Sequence, residues 1–152
     1  MRKSGRGLPL FEVALLVVVG AVVGWQVQQR LARMAVEAER IAMELTVANL
    51  RTGLRWYQTR QLMGEPGPDV LQMNPLVLLE QLPANYAGVV ELGSVNTVEP
   101  GNWYFDRALA QLCYRPKAAV EMKGLAVCYA LRHKRGAPGE VVLQLTTPYR
   151  WK

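Results

Sequence analysis

The sequence predicts an α+β fold: a long N-terminal α-helix, membrane-spanning in its first half, packed on a small antiparallel β-sheet. Three observations predict it. Residues 8–25 are apolar except for Glu12. No proline occurs between Pro9 and Pro66, and across that stretch apolar residues recur at alternating spacings of four and three, which is one face of a helix. The C-terminal third instead alternates apolar and polar residues with a period of two, the pattern of half-buried strands. Four segments follow: a basic stretch 1–7, a lipid-like stretch 8–25, an amphipathic stretch 26–62, and a globular region 63–152.

The N-terminal segment is basic, with Arg2, Lys3 and Arg6 followed by Gly7. A secretory signal peptide would have a shorter apolar core and a small-x-small cleavage site. Here the core ends at Gln26, Val27, Gln28, Gln29 and Arg30, a poor match. A transmembrane helix wants roughly 20 apolar residues for a ~30 Å hydrocarbon core. Residues 8–25 come close, and Trp25 stands where an interfacial anchor would. Arg30 and Arg33 soon after the span partly balance the charges before it, so the positive-inside rule leans only slightly to an inside N-terminus. Gly20 and Gly24 suit either close helix packing or local unwinding, or else the ordinary tolerance of glycine in membrane helices.

The apolar stripe of the amphipathic segment is Val27, Leu31, Met34, Ala38, Ile41, Leu45 and Ala48, then Leu50, Leu54 and Tyr57. Such a shift is the drift of a 3.6-residue helix against a heptad. Arg30, Arg33, Glu37, Arg40, Glu44, Arg51 and Arg55 mark mainly the other face, and Gly53 is a weak point within the pattern. One helix is therefore expected from about Leu8 to about Leu62, a length of ~80 Å at 1.5 Å per residue. Gly64 to Asp69 carries the turn chemistry that ends it. One or two helical turns are expected at Leu76–Leu82 and a short strand at Ala87–Leu92.

In the C-terminal third, Trp103–Tyr114 reads as one strand, with Tyr104, Ala108, Ala110, Leu112 and Tyr114 in alternation. Leu125, Val127, Tyr129 and Leu131 mark the next, and Val141, Leu143 and Leu145 a third, joined through Pro116–Lys123 and His133–Gly139. The expected topology is an antiparallel meander whose apolar face is covered by the helical stripe from Ile41 to Tyr57.

Composition and residue types narrow the chemistry. Hydrophobic residues make up 51% and charged residues 20%, which excludes global disorder. The net charge of +6 falls to +3 without residues 1–7, so nucleic-acid binding is not indicated by composition. Arg132, His133, Lys134 and Arg135 form one basic turn, read as a solvated hairpin tip because no stacking aromatic is interleaved in it. Two cysteines and one histidine build no Cys/His zinc site. Asp69, Glu91, Glu99 and Asp106 match no calcium loop. No phosphate loop or nucleophile elbow occurs, so neither an enzyme nor a cofactor is expected. Cys113 and Cys128 fall on neighbouring expected strands, where facing residues can meet disulfide spacing. A structural bridge in an oxidising compartment is favoured; two buried thiols in a reducing one is the other reading.

One feature is left over: a carboxylate early in an apolar span. The run Gly7, Leu8, Pro9, Leu10, Phe11, Glu12, preceded by a short basic segment, resembles the leader-cleavage site of type IV pilin-like proteins, the group that includes the pseudopilins of type II secretion. The resemblance implies that a prepilin peptidase cuts after Gly7, that Leu8 becomes the N-methylated mature N-terminus, and that Glu12 is the glutamate used in filament assembly. The family pattern prefers Phe, Thr and Ile where this chain has Leu8, Pro9 and Phe11. It implies a bacterial single-pass inner-membrane protein with a periplasmic C-terminal domain. Its partners would be other pilin-like subunits, the prepilin peptidase and an inner-membrane assembly platform. Major pseudopilins carry an Asp-Pro-Trp-Gly-like segment and acidic calcium ligands near the C-terminus; their absence here implies a minor subunit. The alternative is a permanent single-span inner-membrane protein whose periplasmic domain binds a protein partner.

Overall fold

A computed structural model describes residues 9–65, 67–91, 95–118 and 120–151. Its first element is one unbroken helix, α1 (Leu10–Leu62), continuous through Gly20, Gly24 and Gly53. Pro9 begins it: its carbonyl accepts the N–H groups of Glu12 at 2.8 Å and Val13 at 3.3 Å. Proline costs nothing at a helix start because the first N–H groups have no partner there. At the other end Gly64, at φ 87°, turns the chain into the left-handed region. Its N–H bonds the Gln61 carbonyl at 3.0 Å, and that of Glu65 bonds the Arg60 carbonyl at 3.2 Å. That pair of bonds is a Schellman stop.

The chain divides into two compact units at Ala38/Glu39. In the first, the helical residues 10–38 bury no side chain completely. An 18-residue window there has a mean hydropathy of 2.1. It is long and apolar enough to cross a membrane.

Among the described residues, the second unit holds the rest of α1 and seven strands: β1 (Tyr86–Val90), β2 (Asn102–Asp106), β3 (Gln111–Arg115), β4 (Val120–Met122), β5 (Val127–Lys134), β6 (Ala137–Leu145) and β7 (Tyr149–Trp151). Five form one sheet in the order β1-β2-β3-β5-β6, and β4 pairs with β7 in a second. Only β1 and β2 run parallel; the other pairs are antiparallel. One face of the large sheet presents Trp103, Leu112, Tyr114, Val127, Tyr129, Leu131, Val141 and Leu143 to Met43, Val47, Leu50, Leu54 and Tyr57 of α1. The other face is smaller, with Tyr104, Cys113 and Ala126 packed against Val90 and Val98.

The α+β class and the long helix agree with the sequence reading, while several elements differ from it. Trp103–Tyr114 is a hairpin rather than one strand. Asp106, only 4% exposed, accepts the Leu109 N–H at 3.0 Å and Ala110 takes φ 49°. The four-residue turn pairs odd with even positions, so Tyr104 lies on the face away from α1 while Leu112 and Tyr114 lie on the face toward it, and the alternation read across 103–114 does not mark one face. The sheet is not a pure meander, because β1 joins it in parallel. β4 lies in the expected join Pro116–Lys123, and β7 carries a further pairing the alternation did not reveal. The helical turn is a short 3-10 segment, Pro75–Leu78, started by the Asn74 side chain. Finally, the stripe expected to cover the sheet is only half right. Leu50, Leu54 and Tyr57 are buried, but Ile41 and Leu45 are exposed, and Met43 and Val47 take their place. Both stripes have helical spacing, and the sheet selects one of them.

Candidate functional site

Gly7 and Leu8, the expected cleavage and methylation positions, lie outside the described residues. Glu12 sits in the first turn of α1. Its flanks, Leu10, Phe11 and Val13, are exposed apolar side chains. Among the described residues its carboxylate makes no hydrogen bond and no ion pair. An anion in an apolar collar without a partner is costly once water is removed, and a cation brought alongside relieves that cost. A negative group in a first helical turn is also favoured by the helix dipole.

Cys113 and Cys128 face each other across β3 and β5. Their Cα atoms are 4.1 Å apart and a disulfide joins them, with an S–S distance of 2.06 Å. The pair lies on the sheet face away from α1, in the smaller apolar cluster.

Glu39 is a structural carboxylate that the sequence reading missed. It accepts the Lys117 N–H at 2.6 Å, the Ala118 N–H at 2.9 Å and the Tyr114 hydroxyl at 2.9 Å. The acid therefore pins the loop between β3 and β4 to the helix. Burial pushes the Tyr114 hydroxyl above the usual tyrosine range, and the hydrogen bond and charge of Glu39 push it further. The signal was present in the spacing: Val36, Glu39, Met43, Val47, Leu50, Leu54 and Tyr57 recur by three and four.

The basic turn is the tip of the β5–β6 hairpin, with Gly136 at φ 83°. Lys134 pairs with Glu140 at 2.8 Å, while Arg132, His133 and Arg135 are exposed. Trp103, Tyr104 and Phe105 are buried in the core and offer no stacking platform. Of the scattered acids, Asp69 caps its own turn through the Leu71 N–H, Asp106 caps the β2–β3 turn, and Glu91 lies 3.7 Å from Arg107. Among the described residues no three His, Cys, Asp or Glu side chains gather as metal ligands.

Compared with models of known protein families, with curated proteins and with solved structures, the chain finds no match in any of the three.

Proposed function

We propose that the chain is a structural subunit of a pilin-like filament, a minor subunit of a pseudopilus or type IV pilus. A prepilin peptidase removes residues 1–7, Leu8 is methylated, and the apolar part of α1 holds the subunit in the bacterial inner membrane. The domain after the span faces the periplasm until the assembly platform extracts the subunit into the filament. Glu12 carries the reading: a carboxylate with no partner among the described residues, in the first turn of an exposed apolar helix, five positions after Gly7. A fixed anion there has a function if a neighbouring subunit's N-terminal ammonium pairs with it. The disulfide supports an oxidising compartment for the second unit.

Processing tests the proposal. Co-expression with a prepilin peptidase should yield a chain beginning at Leu8 by mass spectrometry, and Gly7→Ala should slow its appearance. An intact Met1 beside a peptidase active on a control substrate overturns the reading and leaves a permanent single-span anchor.

A further inference from the structure

The second unit has one long open strand edge. β6 is the last strand of the five-stranded sheet and has β5 on one side only. Its backbone direction follows from two bonds. The Thr146 N–H reaches the Cys128 carbonyl at 2.8 Å, so the groups of that position point to β5. The Val141 carbonyl instead accepts the Gln58 side chain at 2.6 Å, so it points away. Peptide groups alternate along an antiparallel strand. The N–H groups of Val141, Leu143 and Leu145, and the carbonyls of Leu143 and Leu145, therefore face the open side. Among the described residues no strand pairs with them. The start of β6 is irregular, with a register shift opposite His133/Lys134 and Gly139 at φ 115°. Such features blunt an edge. The stretch from Val141 to Leu145 is regular and has none of them.

A groove runs between this edge and α1, floored by Leu54 and flanked by Arg51 and Arg55. Both arginines are exposed, lie one helical turn apart and have no ion pair among the described residues. At the hairpin tip Arg132 and Arg135 add positive charge, while the acid among the described residues that line the groove, Glu140, is paired with Lys134 at 2.8 Å.

We infer that the β6 edge and the Arg51/Arg55 groove form a docking site for an extended acidic segment of a partner protein. The backbone groups call for a polypeptide strand, as in β-augmentation. The cations select an acidic one, since rim charge chooses partners and steers encounter. The same charge disfavours a second copy of this chain, whose own edge would bring a matching set of arginines. The inference does not depend on the filament reading.

The test uses the full chain in detergent micelles and a short fluorescent peptide alternating glutamate and valine. Anisotropy should show binding that weakens with added salt. A lysine–valine peptide should bind at least about tenfold more weakly, a difference within the reach of a few exposed charge contacts. Proline in place of each valine of the acidic peptide keeps its charge but removes every second N–H and sets rings that a regular ladder does not accommodate, and should abolish binding. The protein is untouched in that comparison, so misfolding cannot imitate the result. The double variant Arg51→Ala/Arg55→Ala, with an unchanged circular dichroism spectrum, should bind roughly five- to tenfold more weakly. Equal binding of the acidic and lysine peptides overturns the inference. So does undiminished binding of the proline peptide, which would leave charge attraction alone. Sedimentation showing self-association that the acidic peptide displaces would put a second copy at the edge and equally overturn it.

Discussion

Glu39 gives the loop after β3 a fixed acceptor at two successive N–H groups and one hydroxyl. Its replacement by alanine leaves those donors to water or to nothing. Glu39→Ala should therefore lower stability by about 1–2 kcal/mol, read as a lower urea midpoint for the detergent-solubilised chain. Tyr114 and Tyr129 lie in the same core, and both hydroxyls are raised, first by burial. The unfolded chain ionises its tyrosines near pH 10. A raised value in the folded state means that the fold prefers the neutral phenol. Its contribution is complete below about pH 10 and is lost as the pH climbs above that. In an ultraviolet titration Tyr114 and Tyr129 should thus ionise last, together with unfolding. Tyr114→Phe should make the alkaline loss of stability shallower; an unchanged alkaline limb would mean that Tyr114 ionises freely in the folded state.

At the scale of elements, Gly53 shows how α1 meets the rest of its unit. A Cβ built there would fall inside contact distance of the Leu78 carbonyl oxygen, in the 3-10 segment Pro75–Leu78. Alanine in a helix gains up to about 1 kcal/mol over glycine, but forcing the two backbones apart costs ~1–3 kcal/mol. Gly53→Ala should lose stability on balance. Gly24→Ala, with no atom within 4 Å of the added carbon, should not; thermal unfolding of the two variants side by side decides it. The extent of α1 and its stop at Gly64 were legible in the sequence because periodicity, proline and glycine are local signals. The facing of Cys113 and Cys128 was legible because the pairing of two neighbouring strands nearly fixes it. What was not legible depends on partners distant in sequence. Met43 and Ile41 both sit on apolar stripes of α1, and only the arrival of the sheet distinguishes them. The parallel direction of β1 shows only in its pairing with β2, and β7 is defined by pairing with β4 rather than by its own three residues. Of the candidate site, the position of Glu12 was readable but the role of Glu39 was not, since its donors lie more than seventy residues away.

For the molecule as a whole, the assembly proposal turns on whether Glu12 serves a neighbour or its own subunit. Charge attraction is far stronger in lipid than in water, and each charge alone carries a desolvation cost. Glu12→Ala should leave membrane insertion and the thermal midpoint unchanged but abolish incorporation into filaments and helix-to-helix cross-linking between subunits. Normal assembly of that variant would rule out pairing of Glu12 with the next subunit. The disulfide acts in the other direction, on the fold and not on assembly. It closes a loop of sequence separation 15, and Cys113→Ser should cost about 3 kcal/mol in the chain-entropy account, read as a lower thermal midpoint without reductant. The loop it closes contains the exposed bend Lys123–Leu125, a natural place for a protease to nick the chain. A cut there severs the backbone but not the molecule: the fragments stay covalently one until a reductant reaches the bridge. The clipped protein would migrate as intact on a non-reducing gel and separate into two bands only when the thiols are freed.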